Sequence, residues 1–145
     1  MQLVYLVAYR GPDILLLTDR TTKLTTFELL TDTEIPDGTS YPDAFRRLVD
    51  RGLTHLEPWW VFDASIARPI MSGLKERYPS ASLLPFAKRE DNDDVACFER
   101  GCSDRVVVIH DFSSAGWERR QIFDDFYAWL RHAVEEMIEF DRGEV

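Results

Sequence analysis

The stretch 82-SLLPFAKREDNDDVACFERGCSDRVVVIH-110 decides the fold class. It reads as three strands, Ser82–Ala87, Asp94–Glu99 and Arg105–His110, because each run is apolar, short and bounded by polar or glycine-bearing turns. Arg100-Gly101-Cys102-Ser103-Asp104 has the length and composition of a hairpin loop between the last two. Just upstream, Pro58-Trp59-Trp60-Val61-Phe62 reads as another strand, since aromatic and β-branched side chains suit a pleated surface. Adjacent strand residues point to opposite faces, so one of Trp59 and Trp60 faces the core and the other is free to be exposed.

Helical patterns flank these strands. From Pro42 to Arg51 the proline opens a helix, Phe45, Leu48 and Val49 share a face, and Gly52 supplies a stop. A second helix over Ala64–Tyr78 buries Ile70, Met71 and Leu74, with Pro69 either in its first turn or at a kink. The clearest helix is the last. Phe123, Phe126, Leu130, Ala133, Met137 and Phe140 recur at spacings of three and four, and Tyr127, Val134 and Ile138 widen the stripe. Asp124, Arg131, Glu135 and Glu139 fall opposite, and Asp124-Asp125 open the helix favourably for its dipole. The pattern predicts a single α+β domain over 1–145, a mixed and largely antiparallel sheet packed by helices, ending in a long amphipathic helix. Residues 3–9 and 14–18 are short apolar runs about Arg10-Gly11-Pro12-Asp13, for which a β-hairpin is favoured over helix; the topology of residues 1–41 stays open.

With 145 residues and 45% hydrophobic side chains, the chain has the size and composition of one globular domain. The longest apolar run, Leu3 to Tyr9, has seven residues, against the roughly 20 that a bilayer requires. The N-terminus also lacks the pattern of a signal peptide, so a cytoplasmic location and no membrane partner are expected. Cys97 and Cys102 make neither a disulfide framework nor a C-x-x-C pair, and are expected as reduced thiols. The net charge is −9, and it is concentrated. Residues 90–104 hold six acids against one Arg, and residues 121–145 hold seven acids against two Arg. Basic pairs are few (Arg46-Arg47, Lys88-Arg89, Arg119-Arg120), so nucleic acid is not expected as a ligand. A basic protein is the partner such charge would steer.

No catalytic constellation assembles from spacing. His110-Asp111 with Ser113 and Ser114 are adjacent in sequence, but a triad must converge in space, and no G-x-S-x-G elbow is present. Asp91-Asn92-Asp93-Asp94 resembles the start of a calcium loop, yet Ala96 and Cys102 stand where an EF-hand requires Gly and Glu. His55, His110 and His132 lack metal-ligand spacing, with or without Cys97, so no metal and no cofactor are expected. A small hydrolase or metal-dependent enzyme using His110, Asp111 and Cys97 remains the alternative to a binding protein. Glu135-Glu136 read as solvated helix carboxylates. Trp60 and Trp117, beside acidic loops, suit interface anchors.

From residue 83 onward, Leu83-Leu84-Pro85-Phe86-Ala87, then Asn92 to Glu99, a strand ending His110-Asp111-Phe112, Gly116-Trp117-Glu118 and a helix with Phe126 and Trp129-Leu130 follow in order. With Pro58-Trp59-Trp60 upstream, this succession over about residues 42–140 resembles the SUKH superfamily, which includes the yeast Smi/Knr cell-wall-synthesis regulators and many bacterial immunity proteins. The first 40 residues lack the family's opening helix and Leu-Pro motif, with Ile35-Pro36 the nearest equivalent. The resemblance implies an α+β domain without a shared catalytic site. It implies binding of a protein, often a toxin and frequently a nuclease, or a regulatory role in cell-envelope synthesis. Asp91, Asp93, Asp94, Trp117, Glu118 and Trp60 are the residues expected to contact the partner.

Overall fold

The computed structural model describes residues 26–114, 116 and 118–144. The sequence-predicted hairpin about residues 10–13 and the residue Trp117 lie outside these. The elements are α1 (Asp43–Asp50), β1 (His55–Leu56), β2 (Trp59–Val61), α2 (Ala64–Arg77), β3 (Leu83–Arg89), β4 (Asp94–Glu99), β5 (Val106–His110), β6 (Arg119–Phe123) and α3 (Phe126–Asp141). The six strands form one sheet in sequence order, and every pairing among the described residues is antiparallel. The α+β expectation holds, and the three central strands lie where the apolar runs put them.

Helices on both sides explain why those runs are apolar at nearly every position rather than at alternate ones. On one face Phe86, Ala96, Phe98, Val106 and Val108 pack with Phe45 of α1 and with Phe126, Trp129 and Ala133 of α3. On the other, Leu83, Val95, Cys97, Val107 and Ile109 pack with Leu74 and Tyr78 around α2. Strand alternation sorts successive residues into these two cores. The first core is aromatic: Phe86 stacks on Phe98 at 4.3 Å between centroids, and Trp59 meets Trp129 edge-on at 5.5 Å. Such pairs add about 0.5–1.5 kcal/mol each beyond the area they bury. Pro85, which cannot donate to the ladder, sits inside a central strand beside the register shift between Pro85 and Ala87, the kind of irregularity that tolerates it.

Helix ends follow local chemistry. Gly52, at φ 73°, ends α1, with its N–H on the Val49 carbonyl and that of Leu53 on Leu48. The Asp63 carboxylate caps α2 through the N–H of Ser65 at 3.0 Å, and Asp125 caps α3 through that of Ala128 at 2.7 Å.

Three expectations change. Pro69 is the sixth residue of α2, beyond the first turn; the carbonyl it leaves without an N–H donor belongs to Ser65, which is exposed to solvent. Phe123 belongs to β6, paired with Val106, rather than to the last helix. The inward face of α3 is led by Phe126, Trp129 and Ala133, while Tyr127, Ile138 and Phe140 are exposed.

Candidate interaction surfaces

The turn between β3 and β4 carries the predicted acidic residues, and the structure divides them. Arg89, 8% exposed, forks onto Asp91 with two bonds of 2.8 Å and reaches Glu136 of α3 at 2.5 Å. Those bonds hold the Asp91 carboxyl below the usual aspartate range. Asp94, also 8% exposed, accepts from His110 Nδ1 at 2.7 Å across the β4–β5 register and lies 3.3 Å from Arg120 Nε. Asn92 Oδ1 accepts the Asp94 N–H at 2.7 Å and shapes the turn. Glu90 lies 3.6 Å from His55, and Glu99 pairs with Arg119. Asp93 is exposed and has no ion pair among the described residues. Two of the three predicted aspartates are therefore occupied within the domain.

Glu136 departs furthest from its sequence reading. It is not a solvated helix carboxylate: it accepts from the Trp59 indole at 2.6 Å, receives Arg89, and lies 3.3 Å from His132. This cluster ties α3 to β2 and β3.

Trp59 and Trp60 face opposite ways as the strand requires, Trp59 in the core and Trp60 38% exposed. Glu118 receives the Gly116 N–H at 2.6 Å, and its carbonyl receives the His110 N–H at 2.6 Å. The hydrolase candidates do not converge. His110 turns to Asp94, while Asp111 accepts two bonds from Arg77 of α2, at 2.8 and 2.7 Å. Cys97 is fully buried on the α2 side of the sheet, and desolvation pushes its thiol well up, the opposite of nucleophile activation. Among the described residues no group of three His, Cys, Asp or Glu side chains could hold a metal, and no helix is long and apolar enough to cross a membrane.

Two further surfaces emerge, one foreshadowed by spacing and one not. The first is the outer side of α3. Glu135 and Glu139 are exposed there, with Asp124 just before the helix and Asp141 at its end, none in an ion pair among the described residues. Exposed Arg131 stands on the same side as Glu135 and Glu139, and Ile138 and Tyr127, whose hydroxyl accepts from Arg47 Nη2 at 3.4 Å, are 39% and 42% exposed. The periodicity places these carboxylates outward, as observed, but assigns both apolar residues to the core stripe, where the structure leaves them exposed. The second is a cleft of about 290 Å³ between α2 and the ends of β3, β4 and β5. Ile70, Arg77, Lys88, Asp93 and Phe112 line it. Phe112 is 68% exposed, holds φ 64°, and has the Arg77 guanidinium 4.1 Å from its ring centroid. Gly73 makes room for this, because a Cβ there would lie 2.6 Å from Arg77 Nη2. A positive φ at a phenylalanine has no sequence signal, which is why the site was missed.

No match to the chain was found among protein-family models, curated proteins or solved structures.

Proposed function

We propose that this chain is a non-catalytic protein-binding domain that neutralises a basic toxin through an acidic surface, a nuclease being the class of toxin that fits best. The observation that carries the reading is the outer side of α3, where Glu135 and Glu139, with Asp124 just before the helix, outnumber exposed Arg131 and have no counter-ion among the described residues, and where Tyr127 and Ile138 are exposed. Uncompensated charge steers association, and apolar side chains beside it supply the desolvated contact. A nuclease exposes basic surface for phosphate, so its surface complements this one. The SUKH resemblance over residues 42–140 supports the same role. The separation of His110, Asp111 and Cys97 onto different partners weighs against the hydrolase alternative.

The test is co-expression with the products of neighbouring genes. The expected result is a stoichiometric complex with one of them, which restores growth in cells expressing that product and loses affinity as salt rises. A neighbouring product that is toxic but neither bound nor neutralised contradicts the proposal.

A further inference from the structure

The α2 cleft lies on the face of the sheet opposite α3, so a rigid epitope seated on α3 does not cover it. Its rim is organised around an aromatic ring held in solvent. Phe112 occupies the left-handed backbone region, which bulky side chains rarely adopt. The strain is held in place from three directions. The Asp111 carboxylate accepts the Phe112 N–H at 2.8 Å, Arg77 lies against one ring face, and the Tyr78 hydroxyl ties the Ser113 carbonyl at 3.0 Å. Because Asp111 neutralises Arg77, the plate beneath the ring carries no net charge.

Lys88 and Asp93 line the same cleft, and neither has an ion pair among the described residues. Trp60 pairs with Lys88 across β2 and β3, so its exposed ring lies on the same face of the sheet. Phe112, Lys88 and Asp93 thus line one cleft, with Trp60 exposed on the same face of the sheet next to Lys88.

We propose that this rim is a second docking surface, with Phe112 as its anchor. The occupant is a protein whose surface offers an apolar recess for the ring, a carboxylate opposite Lys88 and a basic side chain opposite Asp93. Charge complementarity specifies that partner: it is mixed in sign, unlike the basic surface that suits α3. A preorganised aromatic anchor loses little freedom on binding, which is what the strained backbone achieves.

The test places p-benzoyl-phenylalanine at position 112, and separately at 138, in the full chain in its native host. A protein crosslinked at 112 is then purified and its affinity measured by calorimetry. Support requires that Phe112→Ala weaken binding about tenfold or more, and that Lys88→Glu and Asp93→Lys each weaken it severalfold. Phe112→Asn, which suits a positive φ, is expected to lose binding equally while keeping its melting temperature within about 2 °C of wild type. No crosslink at 112, or a captured protein indifferent to these substitutions, overturns the proposal. Crosslinking at 138 alone does so while leaving the α3 reading intact, and crosslinking at 112 alone does the reverse.

Discussion

Residues 90–104 hold six acids against one Arg and residues 121–145 seven against two, so each carries a net charge of −5, but the protein uses their acids differently. In the first segment four of six acids meet a base within the domain: Glu90 with His55, Asp91 with Arg89, Asp94 with His110 and Arg120, and Glu99 with Arg119. On α3 only Glu136 is drawn inward, and Glu135, Glu139 and Asp141, like Asp124 just before the helix, face solvent without ion-pair partners among the described residues. Net charge counted along the chain therefore does not locate a binding surface. Charge left without an internal counter-ion does, because only that charge projects a field to a partner.

The contrast can be broken first at Arg89. Arg89→Ala leaves Asp91 and Glu136 without their shared cation, and about 3 kcal/mol of stability is expected to go, read as a lower urea midpoint. A loss below about 1 kcal/mol means the paired segment is no more structural than a surface. Next, Asp94→Lys sets a cation against His110 and Arg120 in a nearly buried site and is expected to cost about 2 kcal/mol. Glu135→Lys with Glu139→Lys, equally large in charge, is expected to cost no more than about 0.5 kcal/mol for each change.

Acid titration sharpens the same difference. The folded Asp91 carboxyl binds a proton less readily than an unfolded aspartate, whose ordinary value is about 3.9. Its contribution is thus complete above that value and disappears as pH falls through the lower folded value. Asp91→Asn should flatten the loss of stability below about pH 4, with little change in slope above pH 5. If the slope below pH 4 is unchanged, Arg89 does not hold Asp91 in solution as it does in the structure. The smallest effect is chemical: iodoacetamide at pH 8 should label Cys102 in the native protein and reach Cys97 only after unfolding, because Cys97 is fully buried and its thiol pushed up. Rapid native labelling of both thiols would show that the α2-side core opens.

The strands and helices with strong apolar periodicity were legible in the sequence, and the opposite facing of Trp59 and Trp60 followed from period two alone. β6 was not legible. Arg119-Arg120-Gln121-Ile122-Phe123 is largely exposed and carries no alternation, so only its pairing with β5 makes it a strand. The same omission let Phe123 be read into the α3 stripe. Tyr127 and Ile138 fit that stripe by spacing, yet the sheet and α1 cover a narrower arc of α3 than the apolar residues span. Glu136 looked solvated because its partners, Trp59 and Arg89, are 77 and 47 positions away. Ion pairing at such separations is a property of the fold, and it decided which predicted site residues remained free.

The most direct test is the affinity of the basic partner for two variants, measured side by side by calorimetry. Glu135→Lys/Glu139→Lys is expected to lose about tenfold or more in affinity with its urea midpoint nearly unchanged, while Asp91→Asn loses stability but stays within about twofold in affinity. The reverse pattern, with binding lost at Asp91 and retained on α3, contradicts the account.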